Sequence, residues 1–143
     1  MDSNNAGQAV FEMNVLENKL KQLDQQLGII EQYIIDSDKM TELLDDFSKS
    51  GKSEVFVPLG TGVYTKAALD KTDKVLMSIG AGVVAEKDIA SAEKLVEKRK
   101  RKFMEAREEL ANQVQMVLRS VSELDQKIKS QGHGDNEGHD HHQ

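Results

Sequence analysis

Two long stretches of this chain repeat apolar side chains at alternating steps of three and four residues, and few folds accept that pattern. In the first, Met13, Leu16, Leu20, Leu23, Leu27, Ile30 and Ile34 are spaced 3, 4, 3, 4, 3 and 4. A heptad of this kind keeps one narrow stripe facing a partner helix, which is the geometry of a coiled coil. After Ile34 the register slips, and Met40, Leu43 or Leu44, and Phe47 carry the apolar face to Gly51, a residue suited to a C-terminal cap. The second stretch carries Ile89, Ala92, Val96, Arg99, Phe103, Ala106 and Leu110, then Val114, Val117, Val121, Leu124 and Ile128. Its two successive steps of four across Ala106, Leu110 and Val114 form a stutter, which relaxes a supercoil without ending the helix. Asp88 stands where an N-cap belongs. The patterns predict helices over 8–50 and 88–130, each about 60 Å long at 1.5 Å per residue.

Composition favours long helices over a wide core. Charged residues make up 31% of the 143, aromatics 4%, and there is one proline and no tryptophan. The net charge of −6 argues against a sequence-independent grip on nucleic acid. Without cysteine there are no disulfides and no thiolate chemistry. The start, MDSNNAGQ, lacks the basic and apolar regions of a signal peptide, and no segment approaches the ~20 apolar residues of a membrane span. The chain reads as cytoplasmic and not membrane-bound, with residues 1–7 and 131–143 as disordered flanks.

Residues 51–87 differ from the rest. Short apolar runs, 55–59 with 63–69 and 75–79 with 83–86, flank Gly60-Thr61-Gly62 and Gly80-Ala81-Gly82. They predict two successive β-hairpins with tight glycine turns. Pro58 cannot donate a ladder hydrogen bond, so its strand should be an edge or bulged there. A lone two-stranded hairpin is marginal in water and exposes its edges, so these strands are expected to complete themselves with other chains. The expected assembly residues are Val57, Pro58, Gly60, Gly62, Val63, Ile79, Gly80, Gly82 and Val83. The fold class is therefore α+β, mostly helical: a long antiparallel coiled coil with two central β-hairpins whose strands form a body shared between subunits.

Equal helices around a compact insert fold back on each other, and neighbours then have residue numbers that sum to about 135. This register sets the acidic group Asp36, Asp38, Glu42, Asp45 and Asp46 beside the basic group Lys94, Lys98, Arg99, Lys100, Arg101 and Lys102. Opposed charge blocks favour one register over others, although each exposed pair contributes only about 0–1 kcal/mol.

Several apparent motifs dissolve on inspection. Gly80, Gly82 and Ala85 match the dinucleotide fingerprint, but no helix opens on the second glycine and no further strand follows. Gly51-Lys52-Ser53 resembles the end of a P-loop, yet the earlier glycine it needs is Asp46. The histidines at 133, 139, 141 and 142 could bind Ni²⁺ or Zn²⁺ without a preformed cage, and a tail-borne metal role is a minor hypothesis. No histidine lies elsewhere, and no nucleophile, base and acid converge. No enzyme activity, cofactor or specific metal site is expected.

The helix ends hold more apolar side chains than one seam needs. Val10, Phe11, Met13, Val15 and Leu16 meet, in the fold-back register, Met116, Val117, Leu118, Val121, Leu124 and Ile128. The excess forms exposed tips of a kind that suits adaptable, low-specificity binding; the competing expectation is that a second seam or a neighbouring arm covers it.

The run Val57-Pro58-Leu59-Gly60-Thr61-Gly62-Val63-Tyr64, followed by Val75-Leu76-Met77-Ser78-Ile79-Gly80-Ala81-Gly82, resembles the paired strand turns of the archaeal-type prefoldin alpha subunits. The resemblance covers about residues 8–130, and two hairpins distinguish the alpha from the beta class. It implies a molecular chaperone subunit, an ATP-independent holdase, in a hexamer of two alpha and four beta subunits whose central β-hairpins join an intersubunit β-barrel platform. Its coiled-coil tips would capture non-native polypeptides and deliver them to a group II chaperonin. The alternative is a structural coiled-coil scaffold or adaptor that binds a folded partner.

Overall fold

The computed structural model describes residues 2–49, 52–70 and 73–140, with side chains described over 5–49, 54–69 and 73–131. The order is helix α1 (Asp2–Lys49), strands β1 (Lys52–Gly60), β2 (Val63–Asp70), β3 (Lys74–Gly80) and β4 (Val83–Asp88), and helix α2 (Ile89–Asp140). Both helices are longer than the heptads predict. α1 starts at Asp2 rather than near Gln8, and α2 runs to Asp140 rather than ending near Ser130, so the backbone of neither described flank is irregular. Adding a residue to an existing helix makes one hydrogen bond for each residue fixed, so a helix can outrun the seam that nucleates it when no proline intervenes. Gly51 and residues 141–143, with the expected cap and the last two histidines, lie outside the described residues.

The two hairpins are separate two-stranded antiparallel sheets, β1 with β2 and β3 with β4. Their turns are near copies. Thr61 and Gly62 have φ of 49° and 76°, Ala81 and Gly82 have 52° and 75°, and the preceding Gly60 and Gly80 have 111° and 110°. Two central residues at positive φ make the tight turn whose twist matches that of paired strands. The register shifts between Pro58 and Gly60, as expected for Pro58, but also between Ser78 and Gly80. The bulge therefore belongs to the turn, since the second hairpin has it without a proline.

The chain forms two compact units, Met1–Glu31 with Glu105–Gln143, and Gln32–Met104. In the second, Leu44, Ile89, Ala92 and Val96 are buried together, with Phe47, Val75 and Met77 packed against them. Asp88 caps α2 as expected: its Oδ1 accepts the Ser91 amide at 2.6 Å. The Ile89 amide donates to the Asp73 carbonyl at 3.0 Å, so the segment entering β3 satisfies another free donor of the helix start. Arg99 donates to the Ser78 carbonyl at 2.6 Å and so ties α2 to β3.

The expected slip after Ile34 does not occur. Ser37 and Thr41 are half-buried and Leu44 is buried, which continues the 3–4 spacing from Ile34, whereas Met40 and Leu43 are exposed. The two hydroxyls can occupy seam positions because each donates to its own helix, Ser37 to the Tyr33 carbonyl at 2.7 Å and Thr41 to the Ser37 carbonyl at 3.0 Å. Antiparallel pairing holds in this unit. Tyr33 stacks on Phe103 with ring centroids 4.9 Å apart and planes 8° from parallel, and Lys100 pairs with Asp38. Their residue numbers sum to 136 and 138, close to the expected 135.

The opposed charge blocks contribute less than expected. Among the described residues, Lys100 with Asp38 is the only ion pair that joins them. Lys49 binds Asp45 and Arg101 lies near Glu97 along their own helices, while Arg99 turns to β3. A side chain four residues away on the same helix is nearer than one on the facing helix.

Candidate client-binding and assembly surfaces

The unit formed by Met1–Glu31 and Glu105–Gln143 has its own seam. Leu23, Val117 and Leu124 are buried, and Met13, Leu16, Leu20, Leu27, Leu110, Val114 and Val121 are half-buried. Near the stutter Arg107 and Gln113 join the half-buried positions, so the stripe widens where the two steps of four fall.

The sequence-predicted tip residues divide into two groups. Val10, Phe11, Val15, Met116, Leu118 and Ile128 are exposed, Phe11 and Met116 at 67% each. Met13, Leu16 and Val121 are half-buried, and Val117 and Leu124 are buried at 8% and 9%. The last two are seam residues, and of them Leu124 alone keeps an edge on the groove at the helix ends while the helices stay paired. The structure brings several of the predicted tip residues together. Phe11, Val15 and Leu16 from α1 and Ser120 and Leu124 from α2 line an open groove of about 450 Å³. Glu12, Glu123 and Lys127 complete it, so an apolar floor has a charged rim. The groove exists because Phe11, Val15 and the seam residue Leu16 fall on adjacent faces of one helix.

The hairpins present a second apolar surface. Phe56, Leu59, Tyr64 and Leu76 are 63–74% exposed, and Val57, Val63, Ile79, Val83 and Val84 are also exposed. Among the described residues neither sheet has a third strand, so no further strand of the chain pairs with their outer edges. Gly60, Gly62, Gly80 and Gly82 have open space where a Cβ would sit. Their role is conformational, since each holds a φ that side chains resist. Pro58 is exposed on β1. Phe56, Tyr64, Leu76 and Val84 were missed by a reading fixed on the turns. Strand alternation identifies them, since each falls two or four residues from a turn glycine on one shared face.

Among the described residues no group of His, Cys, Asp and Glu could hold a metal ion, and no helix is long and apolar enough to cross a membrane. The side chains of all four tail histidines lie outside the described residues.

The prefoldin subunit family matches residues 16–132. The chain is 30% identical over 117 residues to the prefoldin subunit alpha of Methanobrevibacter smithii, spanning 82% of this chain and 80% of that one. It is 27% identical over 120 residues to the prefoldin subunit alpha of Thermofilum pendens, spanning 82% and 92%. Its fold is similar to a chain of the filamentous PFD of Methanocaldococcus jannaschii solved by cryo-electron microscopy, with a TM-score of 0.66, 21% identity and coverage of 85% and 98%. With two hairpins between two long helices and a family match over most of its length, the chain belongs to the prefoldin family.

Proposed function

We propose that this chaperone subunit works as an ATP-independent holdase, capturing non-native polypeptides at its helix ends and delivering them to a group II chaperonin. The observation that carries the reading is the apolar groove lined by Phe11 and Val15, with Val10, Met116 and Leu118 also exposed, beside a seam that already has buried residues to pair the helices. Exposed aliphatic, phenylalanine and methionine side chains adapt to many partners, because dispersion and the hydrophobic effect have no directional demand. An exposed apolar patch with a charged rim is the usual form of a protein interaction site.

The hairpins supply the assembly. Prefoldin subunits form oligomeric complexes with one another, and two hairpins per chain support a hexamer of two alpha and four beta subunits with a β-barrel platform. The filamentous form of the neighbour supports a different assembly, and the mass of the reconstituted complex separates the two.

The test is suppression of aggregation. Assembled with an archaeal prefoldin beta subunit, the chain should reduce light scattering from several unrelated, chemically unfolded proteins without nucleotide. Replacing Val10, Phe11, Val15, Met116 and Leu118 by serine should remove most of this chain's share of that protection and leave the assembled mass unchanged. Protection that survives the replacement overturns the helix-end reading. A chain that assembles but protects no client supports a scaffold that binds a folded partner.

A further inference from the structure

The groove at the helix ends has a carboxylate on each wall. Glu12 of α1 and Glu123 of α2 line it around the apolar floor of Phe11, Val15 and Leu124. The residue numbers of Glu12 and Glu123 sum to 135, as do those of Phe11 with Leu124 and of Val15 with Ser120, so the antiparallel register sets the two carboxylates at one level across the groove. Both are exposed, and among the described residues neither has an ion-pair or hydrogen-bond partner. Lys127 lines the groove one turn beyond Glu123 on the same wall and does not close on it. Asp125 and Lys129, also four residues apart, do pair, at 3.2 Å.

The surroundings carry the same sign. The unit of Met1–Glu31 with Glu105–Gln143 holds thirteen Asp and Glu against six Lys and Arg, a net charge of −7, whereas Gln32–Met104 holds twelve against thirteen, a net charge of +1. The negative charge of the chain therefore resides in the unit that carries the groove. Low-dielectric walls lined by one sign of charge concentrate the opposite sign between them. Two carboxylates on facing walls repel, and a lysine or arginine lowered between them relieves the repulsion while it is attracted to both. An aspartate or glutamate in the same place adds a third like charge. Discrimination between two segments depends on this difference, not on what the apolar floor contributes to both.

Resting on the reading that the helix ends capture clients, we propose that Glu12 and Glu123 make this groove selective for apolar segments that also carry positive charge. Aliphatic and aromatic side chains of the client seat on Phe11, Val15 and Leu124, and a lysine or arginine among them bridges the two carboxylates. The substrate class this favours is the unfolded basic protein. Exposed charge pairs add little affinity, so the groove stays a broad apolar site with a bias in charge and does not read sequence.

The test uses the chain assembled with an archaeal prefoldin beta subunit and carrying a photo-crosslinking residue at Phe11, so that adducts report this groove and not the beta subunits. Two unstructured peptides share one apolar sequence, interspersed with lysines in one and with glutamates in the other. They are mixed in equal amounts, and their adducts are counted by mass spectrometry. At low salt the lysine peptide should exceed the glutamate peptide by at least about three-fold. The ratio should fall toward one near 1 M salt, where screening acts within ~3 Å. Glu12→Gln with Glu123→Gln should remove most of the preference, and Lys127→Gln should enlarge it. Each ratio is read within one sample, so a general loss of capture does not alter it. A wild-type ratio near one overturns the proposal, as does a ratio that falls with Lys127→Gln. A preference that survives the double variant also overturns it, because the wider field of the unit is then the selector. Absence of adducts from both peptides overturns capture at the helix ends itself, an outcome distinct from unselective adducts.

Discussion

Thr61 and Ala81 hold φ near +50°, a conformation that costs an L-residue roughly 1–2 kcal/mol. Asparagine tolerates it better, so Thr61→Asn should raise stability by about 0.5–1 kcal/mol in thermal unfolding. Gly28 is the opposite case: it lies inside α1, and a Cβ there would meet nothing within 4 Å. Gly28→Ala should stabilise by about 0.5–1 kcal/mol, and a fall in melting temperature would contradict an open helical position. Asp88 gives a pH signature. The Ser91 backbone amide and then its hydroxyl hold the Asp88 carboxyl below its ordinary value of 3.8. The fold therefore favours the ionised form, and the contribution is complete above that ordinary value and lost as pH falls through the lower native one. Asp88→Asn keeps a cap without a charge, so acid unfolding followed by circular dichroism should lose this part of its pH dependence. Asp88 was legible in the sequence because an N-cap is a local signal. Ser37 and Thr41 were not, because their seam role depends on hydroxyl bonds to carbonyls four residues back, which an apolar pattern does not record.

At the level of elements, the helices and turns were readable because each follows from spacing within a few residues. What spacing missed is where side chains choose among neighbours. The charge blocks predicted a ladder between the helices, but arginines and lysines took the nearest acceptor, and Arg99 left the ladder for the Ser78 carbonyl. The cross-helix contact with the more defined geometry is the aromatic one. A double-mutant cycle on Tyr33→Ala and Phe103→Ala should return a coupling of about 0.5–1.5 kcal/mol, and additive losses would show that the stack adds nothing beyond burial. Arg99→Met keeps the stem and removes the donor. Amide hydrogen exchange should then quicken in β3 and β4 while the α1 amides change little, since this bond joins the second hairpin to α2.

At the scale of the molecule, the described side chains leave few large apolar groups fully enclosed, whereas both hairpins and the residues around Phe11 and Met116 carry exposed ones. A chain of this kind gains stability by association, so its melting temperature should rise with protein concentration. The apolar excess at the helix ends was legible as a count, but its division was not: only the seam's geometry separates Val117 and Leu124, which pair the helices, from Phe11, Val15 and Met116, which remain open. That division makes a direct measurement possible. A photo-crosslinking residue placed at Phe11 or Met116, and in separate chains at Ile35, which is also exposed and apolar, would be irradiated in assemblies holding an unfolded client. Strong client adducts from positions 11 and 116 with little from 35 are the expected result. Equal yields at all three, or adducts confined to position 35, would contradict capture at the helix ends.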